Sequence, residues 1–154
     1  MSKAEERIRE LGYELLPTPK PAASYVPTVR VGNMVYVSGQ GATKEGKPLI
    51  LGHVGAELTV EEGYQAAEIC AINALSALRG EIGDLDKVKR IVKVLGFVSS
   101  APGFDKQPLV INGFSDFMEK VFGEKGKHAR SAISANELPF GTPVEVEMIA
   151  EVED

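Results

Sequence analysis

Hydrophobic and polar positions along the chain change period several times, and each change marks an element. In "YVPTVRVGNMVYVSGQ" two β-branched runs flank Gly32-Asn33, a pair that tolerates positive φ, which predicts a two-residue hairpin. In the second run Met34, Tyr36 and Ser38 share one face, and Val35, Val37 and Gly39 the other. "TVEE" at Thr59 to Glu62 is a capping box. Apolar residues at 60, 64, 67, 71, 75 and 78 then follow a helical period to about Arg79, where Gly80 offers a stop. "DKVKRIVKVLGFVSS" reads as a long strand, with Val92, Val94, Gly96 and Val98 alternating against Ile91, Lys93, Leu95 and Phe97. Apolar residues on both faces place it centrally in a sheet. A second helix is predicted over Leu109 to Phe122, with Phe114, Phe117, Met118, Val121 and Phe122 for its buried side. Gly123 or Gly126 ends it, and lysines at 120, 125 and 127 suit its negative end. Two strands, Ser131 to Ala135 and Val144 to Val152, close the chain around "NELPFGTP".

Ahead of the hairpin, "MSKAEERIRELGYELLP" spaces Ile8 and Leu11 as on a short amphipathic helix, and "LPTPKPAAS" is an extended, proline-rich connection. The Gly-rich stretch "GATKEGKPLILGHVGAE" has room for one short strand at Pro48 to Leu51. The expected fold is α/β (α+β): two helices on one face of a mixed sheet, in a single domain over 1–154, with residues 1–19 a helical extension and 20–152 the core. Val35, Val37, Val92, Val94, Val144 and Val146 are too many for two helices to cover. An uncovered apolar sheet face points to oligomerisation.

At 154 residues and 44% hydrophobic, the chain can bury one ordinary core. A net charge of −5 gives no broad basic field for nucleic acid, yet a single arginine can still grip a small carboxylate. Cys70 is the only cysteine, so an intrachain disulfide is excluded. No segment approaches the roughly 20 apolar residues of a membrane span, and no apolar leader is visible at the N-terminus. A soluble cytoplasmic protein is expected.

Most catalytic templates fail. His53 and His128 lack metal-ligand spacing, so no metal is expected. "GQGATK" lacks the helix and the Gly-Lys-Ser/Thr of a phosphate loop, and Ser38 has no nucleophile-elbow flanks. Cys70 sits mid-helix among alanines and isoleucines as a small hydrophobe. Two features remain. Glu145, Glu147 and Glu151 share a face of the last strand, either as a solvated row or as the source of one catalytic carboxylate. Arg130, in "HARSAI", is either a surface arginine packing its stem or one end of a binding site; hairpin pairing between the last two strands brings it close to Glu145.

"HARSAISANELPFGTPVEVEMIAEV" resembles the C-terminal signature of the RidA/YjgF family of imine/enamine deaminases: an Ala-Arg-Ser strand, a Leu-Pro turn and a glutamate-bearing strand ending in Ile-Ala. "SYVPTVRVGNMVYVSGQ" resembles its N-terminal signature, a Tyr followed by Gly-Asn and Ser-Gly-Gln. The resemblance implies a homotrimer of chorismate-mutase-like subunits with active sites in the clefts between neighbours. It implies that Arg130 holds a substrate carboxylate, that Glu145 activates water, and that Tyr25, Ser38, Gly39 and Asn112 line the site. No cofactor is implied. The implied reaction is hydrolysis of a small 2-imino acid to a 2-keto acid and ammonia. A trimeric binding or regulatory protein for keto or amino acids is the alternative, and an endoribonuclease is the third reading. Two positions depart from the pattern: His128 stands where a proline is common, and Ala132 where many relatives carry cysteine.

Overall fold

A computed structural model describes residues 2–154. The chain opens with α1 (Lys3–Glu10), whose free N–H groups are well supplied: Ser2 Oγ accepts from Glu5, and the carboxylate of Asp86 accepts from Lys3 at 2.9 Å and Ala4 at 3.1 Å. Ala4 and Ile8 are buried, and Arg7 Nη1 donates to the Val121 carbonyl at 2.8 Å, so the helix is docked on the body. The hairpin follows as β1 (Thr28–Val31) and β2 (Met34–Gly41), with Gly32 at φ 59° in its turn. A second, miniature hairpin, β3 (Thr43–Lys44) and β4 (Lys47–Pro48), replaces the strand expected at Pro48 to Leu51. Its turn residues Glu45 and Gly46 both take positive φ, a primed turn that the sequence pattern does not advertise.

Helix α2 (Val60–Ile82) begins with the expected capping box, worth about 1 kcal/mol. It runs past Gly80 to a stop at Gly83, whose φ of 81° suits glycine and whose N–H bonds the Arg79 carbonyl at 2.7 Å. Leu78 and Ile82 are both buried, which keeps the final turn wound through the weak helix former between them. Then come β5 (Val88–Ser99), α3 (Gln107–Phe122), β6 (Ala129–Ala135) and β7 (Val144–Val152). The main sheet has the order β1-β2-β7-β5-β6. Only β5 and β6 run parallel, because α3 provides the crossover that a parallel pair requires.

α2 and α3 cover one face of the sheet, and the core forms between them. Val35, Val37, Ile91, Val94, Val98, Val144, Val146, Met148 and Ala150 are buried there beneath Leu75, Leu78, Phe114 and Phe117. Close approach is bought with glycine: a Cβ on Gly96 would lie 2.6 Å from Ile111 Cδ1, and one on Gly113 would enter the Tyr64 carbonyl where α3 crosses α2.

This corrects the argument for an uncovered sheet face. Five of the six valines lie under the helices after all. A bulge between Ile91 and Lys93 leaves Val92 out of the buried row and puts Ile91 in line with Val94. The opposite face is nevertheless apolar in places, through Val29, Val31, Tyr36, Leu95, Phe97, Ile133 and Ile149. Val31 and Val29 are 63% and 50% exposed there. The open apolar face is thus made of other residues than the six valines.

Candidate active site in two halves

Arg130 is the second residue of β6 and stands opposite Val94, so its side chain rises on the helical face and lies against α3. Nη1 donates to Asn112 Oδ1 at 2.9 Å and to Ser115 Oγ at 3.2 Å, and Nη2 donates to the Pro108 carbonyl at 3.3 Å. A guanidinium has five N–H groups. Those three bonds leave one on Nε and one on Nη2 without a partner among the described residues. Two parallel donors on a held guanidinium are what a carboxylate binds bidentately. Burial pulls the guanidinium pKa down and nearby Asp116 pushes it up, and an arginine so placed stays charged.

Glu145 is the second residue of β7. It pairs with Phe97 on one side and Gly41 on the other, which places it on the sheet face away from the helices. Its carboxylate packs over Gly39, where a Cβ would stand 2.9 Å from Oε2. Burial, and then the like charge of Glu147, raise its pKa above the ordinary carboxylate value and make it a better proton acceptor once ionised. Glu145, Gly39 and Tyr25 border a cavity of about 990 Å³ that runs along α2 under the proline-rich connection, between Pro17 and Ile72. Tyr25 is 52% exposed.

One expectation fails here. β6 and β7 do not pair: β5 lies between them, so Arg130 and Glu145 are two strands apart, roughly 10 Å across the sheet, and on opposite faces. A single chain therefore holds the two groups apart, Arg130 beside Asn112 and Glu145 beside Gly39. Ser38, implied as a residue lining the site, has its own donors engaged. Its hydroxyl donates to the Val26 carbonyl at 2.6 Å and its N–H to the Pro27 carbonyl at 2.9 Å, so both are occupied in pinning the segment that precedes β1.

Sequence reasoning overlooked Ser115 and Pro108, which complete the arginine's cradle. Ser115 stands three positions after Asn112, the spacing that places two residues on one helix face, and this was the available signal. His53 bridges Glu137 at 3.0 Å and Glu57 at 3.5 Å, and the Glu137 hydrogen bond raises its pKa; it ties two loops together. Cys70 is fully buried, its thiol against the Val144 carbonyl.

The chain matches the family model described as "YjgF/chorismate mutase-like, putative endoribonuclease" over residues 5–152. It is 43% identical over 146 residues to Protein TCP17 of Trypanosoma cruzi, spanning 94% of this chain and 91% of that one. A 2-iminobutanoate/2-iminopropanoate deaminase of Dermatophagoides farinae is 28% identical over 136 residues, spanning 88% and 91%. A crystal structure of an Agrobacterium tumefaciens protein with unknown function superposes with a TM-score of 0.93 at 42% identity, covering 98% of this chain and 93% of that one.

Proposed function

Because the chain belongs to the YjgF/chorismate mutase-like family, matched from residue 5 to residue 152, we propose that it hydrolyses small 2-imino acids to 2-keto acids and ammonia at sites assembled between copies of itself. The observation that carries this reading is the division of labour between the two faces. One face holds a cation with two N–H donors unspent, and the other holds a carboxylate of raised pKa at the border of a cavity. Neither half is a site alone. A second copy set so that its Glu145 half meets the Arg130 half of the first makes one, and a ring of three closes such head-to-tail contacts. The exposed apolar residues of the outer sheet face supply surface for that packing.

In this arrangement Nε and Nη2 of Arg130 fix the substrate carboxylate and so orient the adjoining C=N. Glu145 takes a proton from water as the oxygen attacks C2, giving a carbinolamine, and returns a proton to nitrogen. Glu145 next takes the hydroxyl proton of the carbinolamine and delivers it to the amino nitrogen as the C–N bond breaks, so that ammonia leaves and the carbonyl of the 2-keto acid forms. Positioning and one general base, the latter worth roughly 10²- to 10⁴-fold, are enough for a bond that water alone cleaves slowly. The deaminase name of the Dermatophagoides relative supports the reaction class.

The occupied donors of Ser38 favour one second reading, a binding protein that takes keto or amino acids without turning them over. One experiment separates the two. Arg130→Ala and Glu145→Gln are each expected to abolish ammonia release from 2-iminobutanoate generated in situ. After the two inactive proteins are unfolded together and refolded, about a quarter of the sites regain both groups and activity returns. A mixture that stays inactive overturns the shared site, and wild-type protein that binds 2-ketobutyrate without speeding imine decay establishes the binding reading.

A further inference from the structure

Behind Arg130 lies a chain of hydrogen bonds that the proposed reaction does not use. His128 is half-buried between β6 and α3. Its Nδ1 is 2.7 Å from the Gly126 carbonyl and its Nε2 is 2.8 Å from Ser115 Oγ. A carbonyl can only accept, so Nδ1 carries the proton, and in the neutral ring Nε2 is the acceptor. Ser115 therefore gives its one proton to His128 and accepts from Arg130 Nη1 with its lone pairs. All three bonds point the same way, from Arg130 through Ser115 and His128 to Gly126, and donors aligned in this way polarise one another. The far end is fixed as well: Gly126 packs so closely on the Met118 carbonyl that a Cβ there would enter it.

We infer that His128 is a positioning residue for the carboxylate site at Arg130: its neutral ring holds the Ser115 hydroxyl that steadies Nη1, and it takes up a proton when an anion settles on the free edge of the guanidinium. The inference rests on the reading of Arg130 as the carboxylate anchor. Its sign follows from the charges around the ring. Burial and the Arg130 charge both disfavour the imidazolium, against the raising effect of the Gly126 carbonyl. A carboxylate on Arg130 cancels the repulsive charge, so protonation becomes easier. By linkage, protonated His128 tightens the carboxylate in return. Ser115 can accept from the protonated ring and from Arg130 together, since its oxygen has two lone pairs.

The same ring borders a small cavity of about 220 Å³ with Arg130, Lys127, Ser115, Asp116 and Glu119. Asp116 already accepts the Tyr64 hydroxyl of α2 at 2.8 Å. Lys127 is engaged by Glu124 at 2.8 Å and Glu119 at 3.9 Å. Asp116 also offsets part of the Arg130 charge, and Arg130 is the charged neighbour that acts against the imidazolium of His128.

The test uses the whole protein, with 2-ketobutyrate as the probe. Calorimetric titration between pH 8 and pH 5.5, with ¹⁵N imidazole shifts recorded alongside, is expected to show binding about three- to tenfold tighter at the acid end. Bound ligand is expected to move the His128 titration to higher pH. His128→Asn and Ser115→Ala should weaken binding and flatten that slope, whereas a merely structural role would lower affinity equally at every pH. A wild-type affinity that is flat, or that weakens on the acid side, overturns the inference while leaving the carboxylate anchor standing. A slope retained in both variants also overturns it. Failure of 2-ketobutyrate to bind at any pH overturns the anchor and this inference together.

Discussion

The carboxylate of Glu145 rests on the bare Cα of Gly39, with the position of an added Cβ only 2.9 Å from Oε2 and 3.0 Å from Cδ. β2 and β7 are register-shifted at this point, between Val37 and Gln40, and the bulge turns Gly39 toward the neighbouring strand. The contact is with the far end of a flexible side chain, so Gly39→Ala displaces the carboxylate more than it strains the fold. We expect kcat/KM for 2-iminobutanoate to fall by about 10- to 100-fold. The thermal midpoint, measured on the same preparation, should barely move.

Arg130→Lys tests the fork rather than the charge. A lysine ammonium cannot bond Asn112, Ser115 and the Pro108 carbonyl while offering two parallel donors to a ligand. Calorimetric titration with 2-ketobutyrate should show affinity reduced by about 10- to 100-fold, the range for a lost charged hydrogen bond.

Glu145 also leaves a signature on stability. Its folded pKa is raised by burial and by Glu147, so the folded state holds this proton more tightly than the unfolded chain. The resulting stabilisation is full below the unfolded value and is lost as pH rises through the folded value. At pH 7.5 the ionised side chain is thus a liability that Glu145→Gln removes. Urea unfolding should find the variant more stable than wild type at pH 7.5, with the gap closing at pH 4. The same titration makes kcat/KM fall as the medium is acidified. If His128 behaves as inferred, turnover and ligand affinity then respond to acid in opposite directions.

Gly113→Ala probes the helix crossing that carries the arginine's cradle. The added methyl meets the Tyr64 carbonyl and stands 3.0 Å from the Ala67 methyl, with backbone on one side and packed core on the other. Overpacking of this kind costs about 1–3 kcal/mol. Urea denaturation should register the loss, and Asn112, one residue earlier on α3, should shift enough to weaken 2-ketobutyrate binding as well.

Period and punctuation made much of this fold readable. The Gly32-Asn33 hairpin, the Thr59 capping box and the long central strand are local signals, and the structure contains all three. What sequence could not show was non-local. The bulge at Ile91 reassigns a face, because alternation on paper assumes an unbroken pleat. Gly80 does not stop α2, since burial of Ile82 outweighs one weak residue. Arg130 and Glu145 stand near in sequence and were expected near in space, but α3 carries β6 across to the far side of β5. The residue types of the candidate site came from the signature; their partition between two faces was not legible, because strand order is a tertiary fact.

The last strand in the chain, β7, occupies the middle of the sheet, hydrogen-bonded to β2 on one side and β5 on the other. During synthesis the hairpin and the β5–β6 unit can each gather locally against α2 and α3, but the sheet stays open between β2 and β5 until Val144–Val152 is made. The segment that delivers Glu145 is therefore the one that welds the two halves of the sheet. Deleting β7 would take away the seam itself.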